Sequence, residues 1–119
     1  MKIIMETVEI DKKIASLKEE IEKLEKQKND SYKKACDYWL GKYVTNGYGK
    51  FYIHNVDPSS SGISCDTVKV YVNEPYKNFI IDGNYPEFFE YDCLKEITKE
   101  EFMEEFEKCI SAIKEKYLK

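Results

Sequence analysis

The sequence predicts an α+β fold: a long N-terminal coiled-coil-like helix, an antiparallel β-meander of four or five strands, and a C-terminal amphipathic helix. Three observations predict it. Residues 6–37 hold neither glycine nor proline and repeat apolar side chains in steps of four and three. From Gly41 the composition changes to aromatic and β-branched residues broken by turn signals. Thr98 then opens a run with the spacing of a capped helix. The chain divides accordingly into a helix over 1–40 and a small α+β domain over 41–119.

In the first helix, Ile14 and Ile21 take position a of a heptad, and Ile10, Leu17 and Leu24 take position d. Isoleucine at a with leucine at d suits two-stranded coils. Lys28 and Ser31 fill the next a and d positions, so the seam ends or fixes its register there. A helix of about 30 residues runs about 45 Å, whereas the other ~80 residues form a body about 30 Å across. The stripe is therefore expected to overhang its own domain and to need a partner; the alternative is an amphipathic helix lying on that domain. A parallel pair of copies would set Lys13 against Lys18 and Glu20 against Glu25, both repulsive. An antiparallel pair with Ile14 opposite Leu17 brings Lys13 near Glu20 and Asp11 near Lys18, each contact worth a few tenths of a kcal/mol. An antiparallel pairing follows, as a homodimer or with another helix of the same chain.

Asn46-Gly47, between Lys42-Tyr43-Val44 and the run Tyr48 to Val56, marks a two-residue hairpin. Asp57-Pro58-Ser59-Ser60-Ser61-Gly62 is expected to be a longer, mobile loop. Val68, Val70 and Val72 alternate with Lys69 and Tyr71 along a half-buried strand closed by Asn73-Glu74-Pro75. Phe79-Ile80-Ile81 is a short strand ending at Asp82-Gly83-Asn84, and Phe89, Tyr91 and Cys93 alternate along a last one. Thr98 and Glu101 form a capping box, with Ile97 and Phe102 as its hydrophobic staple. Phe102, Phe106, Cys109, Ile110, Ile113 and Tyr117 make one apolar face, to cover the sheet or to lie along the first helix.

All 19 basic residues are lysine. Without the bidentate guanidinium fork, direct nucleic-acid recognition and arginine-finger chemistry are disfavoured. Lys, Ile, Asn, Tyr and Glu are plentiful, as in products of AT-rich genomes. Charge is uneven: residues 82–107 carry ten acidic groups against Lys95 and Lys99, a net of −8, while the remainder is +4. Such a block is either a solvated face or a surface that attracts a basic protein. Ten tyrosines add candidate hot spots, with Tyr48, Tyr52, Tyr71, Tyr76 and Tyr85 expected to be exposed or half-exposed.

Cys36, Cys65, Cys93 and Cys109 lie 29, 28 and 16 residues apart with no C-x-x-C pair, the spacing of structural thiols and not of a metal site. His54, the one histidine, falls in the strand-like run Lys50 to His54. No apolar run approaches the length of a membrane span, and nothing marks the chain for export, so a cytoplasmic location is expected. Gly47-Tyr48-Gly49-Lys50 lacks the spacing of a phosphate loop, no G-x-S-x-G elbow exists, and Ser59 to Ser61 have no base nearby in sequence. Asp57, Asp66, Asp82 and Asp92 leave open a small carboxylate- or metal-dependent enzyme, and the sheet aromatics a single-strand nucleic-acid binder, as alternatives.

The N-terminal coiled-coil helix, the Gly41-Lys42-Tyr43 start of a β-meander and the closing Ile97-Thr98-Lys99-Glu100-Glu101-Phe102 helix resemble the small accessory proteins of phages and prophages from AT-rich bacteria, anti-CRISPR proteins among them. That resemblance implies an anti-defence inhibitor that masks a basic, nucleic-acid-binding host surface. The expectation is a non-enzymatic interaction protein without cofactor, metal or membrane partner. It self-associates through Ile10, Ile14, Leu17, Ile21 and Leu24, and engages a basic protein through Glu87, Glu90, Asp92, Glu100, Glu101, Glu104, Glu105, Tyr52 and Tyr71.

Overall fold

The computed structural model describes residues 2–73 and 78–118, with side chains from Met5 onward. The expected turn at Glu74 and Pro75, and Tyr76, lie outside the described residues. The fold is α+β: α1 (Lys2–Trp39), β1 (Tyr43–Thr45), β2 (Lys50–Pro58), β3 (Gly62–Asn73), β4 (Asn78–Glu90), a 3-10 turn (Tyr91–Cys93), β5 (Lys95–Ile97) and α2 (Lys99–Tyr117). Two units make up the chain, Met1–Lys34 and Ala35–Lys119. The division falls inside α1, not at the composition change near Leu40, because the last turns of the helix belong to the sheet. Trp39 packs on the sheet's core, and the Cys36 thiol donates to the Val56 carbonyl at 3.6 Å. Among the described residues, no helix is long and apolar enough to cross a membrane.

The five strands lie in the order β4-β3-β2-β1-β5, every neighbouring pair antiparallel. The first four form the expected meander, and β5 joins the far edge beside β1. A flat sheet of five strands would hold its outer strands about 19 Å apart. The chain from Glu90 to Lys95 includes a 3-10 turn and reaches only about 14 Å. The sheet must therefore curl, and Leu94, in that short crossing, packs into its core.

Alternation along the strands gives the curled sheet two apolar faces. On one, Val44, Phe51, Ile53, Ile63, Cys65 and Phe89 are buried, with Trp39, Val56, Tyr85 and Leu94 packed around them. On the other, Val70 is covered by Phe102 and Cys109 of α2, with Tyr43, Tyr52, Val68, Val72, Phe79, Ile81, Ile97 and Phe106 around them. The apolar face of α2 thus covers the sheet.

Two bulges switch the phase of strands, and the one in β4 hides that strand's continuity from the sequence. Ile53 pairs with Thr67 and Asn55 with Asp66, so His54 is the extra residue, exposed, and Val56 returns to the face of Ile53. In β4, Asp82 pairs with Lys69 but Tyr85 with Thr67, so an extra residue moves Tyr85 and Phe89 to the face opposite Phe79 and Ile81. Asp82-Gly83-Asn84 is therefore a bulge within one 13-residue strand and not a turn, shaped by the Asn84 N–H donating to Asp82 Oδ1 at 2.9 Å. Tyr91 and Cys93 belong to the 3-10 turn, and the last strand is the three-residue β5.

The hairpin at Asn46-Gly47 is present with four connecting residues, not two, since Thr45 pairs with Lys50. Gly47 takes the expected positive φ of 92°. Thr45 Oγ1 accepts from the Gly47 N–H at 3.1 Å and donates to the Gly49 carbonyl at 2.7 Å, which closes the longer loop. Half of the segment expected to be a mobile loop is instead strand, with a three-residue turn between Pro58 and Gly62. Its Ser59 backbone N–H and hydroxyl both donate to the Gly62 carbonyl, while Tyr91 donates its N–H to the Ser61 carbonyl and its hydroxyl to that of Ser59. A Cβ on Gly62 would stand 2.1 Å from the Phe89 carbonyl oxygen. The nearest atoms are Phe89 backbone, which cannot swing aside, and the Phe88 ring tip stands 2.8 Å away, so Gly62→Ala is expected to cost about 2–3 kcal/mol, read as a lower denaturation midpoint with an unchanged slope.

At the start of α2, Thr98 is the N-cap and its Oγ1 accepts from the Glu101 N–H at 3.1 Å. Ile97 and Phe102 sit in the same apolar cluster, as a staple requires. Phe102 and Cys109 are buried and Phe106, Ile110 and Ile113 half-buried; Tyr117 is exposed, its ring centre 6.2 Å from that of Phe79.

Candidate functional site

The first candidate surface lies in the N-terminal unit. There α1 is helical throughout, and the five seam residues share one stripe in the exposed state: Ile10 58%, Ile14 45%, Leu17 51%, Ile21 53% and Leu24 57% exposed. Met5 and Val8 are also exposed. Large aliphatic side chains at helical spacing normally face a core, so a stripe of this length in water is a candidate association surface.

In the second unit the acidic block is split among several elements. Glu100, Glu104 and Glu107 line a shallow groove of about 750 Å³ along one flank of α2, with Met103, Lys108, Ser111, Ala112, Glu115 and Val72 of β3. Met103 is 37% exposed. The groove therefore combines an apolar floor with several carboxylates, and Met103 supplies an adaptable contact. Met103 was not among the residues expected from the sequence, because Val72, which completes the groove, is some 30 residues away in the chain.

Other members of the predicted acidic surface are engaged internally. Glu105 accepts the Val72 N–H on its Oε2 at 3.2 Å, capping a stretch of β3 that β2 does not reach. The Glu101 carboxylate accepts from the Thr98 hydroxyl on its Oε1 at 3.5 Å, while its backbone N–H donates to Thr98 Oγ1 and its carbonyl accepts from Lys50 Nζ at 3.3 Å. Glu96 pairs with Lys42 at 3.6 Å and holds the Tyr38 hydroxyl, whose pKa is raised first by that hydrogen bond and then by the carboxylate's charge. Glu87 lines a separate depression with Asn55, Asp57, Asp66 and Phe88, while Glu90 ends β4 and Asp92 lies in the 3-10 turn.

The tyrosines divide likewise. Tyr52 is half-buried, its ring 5.0 Å from that of Tyr43 in the cluster under α2. Tyr71 is half-buried, and its carbonyl accepts from the Cys109 thiol. Tyr85 lies beneath Lys69, whose Nζ is 4.2 Å from its ring centre and 5.4 Å from that of Phe51. Tyr48 at the hairpin tip is exposed.

The residues left open for catalysis take these places. Asp57 and Asp66 lie on neighbouring strands, Asp66 accepting from Asn55 Nδ2 at 3.1 Å, while Asp82 sits in the β4 bulge and Asp92 in the 3-10 turn. Among the described residues, no three His, Cys, Asp or Glu side chains are grouped so as to hold a metal ion.

All four cysteines are free thiols; Cys65 and Cys109 are buried, Cys36 half-buried and Cys93 exposed. Burial, reinforced by Asp66, pushes the Cys65 thiol from 9.0 up to about 12, and burial also raises Cys109. At pH 8 an alkylating reagent is expected to modify Cys93 rapidly and to leave Cys65 and Cys109 unmodified until unfolding, as mass spectrometry of the native and denatured chain will show. The Cys65 contribution to stability is fully present below pH 9, where the unfolded thiol is also neutral. It is lost as pH rises from 9 to about 12, because there the unfolded chain ionises before the folded one.

No family model, curated protein or solved structure matches the chain.

Proposed function

We propose that this chain is a non-enzymatic protein-interaction module, which self-associates through the α1 stripe and offers the acid-lined groove of α2 to a basic protein surface. The observation that carries the proposal is the exposure of all five seam residues in a single chain. Burying the exposed half of each aliphatic side chain gains about 1 kcal/mol. Two copies thus gain about 10 kcal/mol before association entropy, which costs at least about 4 kcal/mol. What remains, at most about 6 kcal/mol, corresponds to a dimer with an affinity of tens of micromolar or weaker, so association is dynamic and concentration-dependent.

The second surface rests on charge. Glu100, Glu104 and Glu107 follow one flank of a helix beside Met103, an arrangement complementary to a lysine- or arginine-bearing amphipathic segment. The resemblance to phage accessory proteins supports the same kind of partner, a nucleic-acid-binding host effector whose basic surface would be masked. Light scattering across a micromolar-to-millimolar series tests the carrying half: the weight-average mass is expected to rise from that of one chain toward two. A constant single-chain mass would refute it.

A further inference from the structure

We propose that two copies pair through α1 in one antiparallel register, the one that places Ile14 of each copy opposite Leu17 of the other; this inference rests on the self-association proposed above. The apolar seam cannot choose that register alone. Because α1 is one uninterrupted helix with a seven-residue repeat, sliding one copy by a heptad in either direction restores layers of isoleucine and leucine. The flanking charges do choose. In an antiparallel pair, position e faces e and position g faces g. With Ile14 opposite Leu17, Lys13 meets the second copy's Glu20 and Asp11 meets its Lys18. Two-fold symmetry repeats each contact, giving four attractive pairs.

Each one-heptad slide, and the parallel pair, is repulsive at its charged pairs, and longer slides lose apolar layers. Placing Ile14 opposite Leu24 sets Glu20 against Glu20, Lys18 against Lys18 and Asp11 against Glu25. Placing Ile14 opposite Ile10 sets Lys13 against Lys13, Asp11 against Asp11 and Glu6 against Glu20. A parallel pair sets Lys13 against Lys18, Glu20 against Glu25 and Glu6 against Asp11. Specificity thus comes from repulsion in the alternatives as much as from attraction in the chosen state. The exposure of the seam in the single chain leaves the stripe open to that occupant.

Charge exchange in the full-length protein, read by sedimentation equilibrium, tests the register. Lys13→Glu is expected to weaken the dimer about tenfold by turning two attractive contacts repulsive, and adding Glu20→Lys is expected to restore it. In a parallel dimer Lys13→Glu would instead strengthen association, because it meets Lys18. Disulfide capture gives a second readout in a Cys93→Ser background. Ile10→Cys mixed with Ile21→Cys is expected to cross-link under mild oxidation, and neither variant alone. Strengthening by Lys13→Glu, or cross-linking of Ile10→Cys with itself, overturns the register while self-association stands. A wild-type chain that stays monomeric at every concentration overturns both.

Discussion

Truncating Phe51 to alanine is expected to remove about 3–5 kcal/mol of stability. The ring is fully buried. It meets Phe89 edge to face at 4.9 Å between centres and Tyr85 at 6.4 Å, with Lys69 Nζ above it at 5.4 Å. These neighbours come from β3 and β4, so removal of the ring opens a cavity that no single strand can close. A domain of this size has only about 5–15 kcal/mol to lose. Chemical denaturation followed by near-ultraviolet circular dichroism is expected to show a midpoint moved to low denaturant, or a chain largely unfolded at 37 °C. A change below about 1 kcal/mol would mean that Phe51 is not at the centre of the sheet's core.

Leu17→Lys is expected to abolish self-association while leaving the single chain intact. In the proposed dimer Leu17 stands opposite Ile14 in both central layers, so one substitution buries two ammonium groups in the seam. Each would cost about 2 kcal/mol or more, against a surplus of only a few kcal/mol for the whole interface. In the single chain Leu17 is half in water already, and lysine is as good a helix former as leucine. Helix content and the denaturation midpoint of the sheet are therefore expected to stay within about 0.5 kcal/mol of wild type. Scattering should read one chain at every concentration. Persistence of the dimer in this variant would place the contact surface elsewhere.

Both predictions concern side chains whose apolar character the sequence displays, but they were not equally legible. The Ile10-to-Leu24 stripe was evident because a helix repeats on a scale of seven residues. The Thr98 cap was evident because its partners lie within four residues. Phe51 falls in a strand that the sequence marks, yet nothing local indicates that Phe89, Tyr85 and Lys69 converge on it. The acidic block shows the same divide. Its charge was plain in the sequence, but Glu105 holds a β3 amide, Glu96 holds Lys42 and Tyr38, and Glu87 lies in a different depression from Glu100, Glu104 and Glu107.

Strand continuity was illegible for a related reason. A bulge inserts one residue and reverses the alternation, so β4 resembles two strands with a turn at Asp82-Gly83-Asn84. The hydrogen bonds that keep β4 continuous come from β3 and leave no trace in its own composition. The tight turn before Gly62 was similarly hidden, because its tethers come from Tyr91.

By itself, the sequence determined the two helices and their apolar faces, the Thr98 cap, the meander, and the heptad seam with its flanking charges. These depend on interactions within a few residues along one chain direction. Only the tertiary structure decided that β5 joins the edge beside β1, that α2 covers the sheet, that Gly62 must lack a Cβ, and which glutamates share a groove. Each of those depends on backbone segments distant in sequence meeting at a few ångströms, and such proximity is set by the curl and phase of the whole sheet, not by any local repeat.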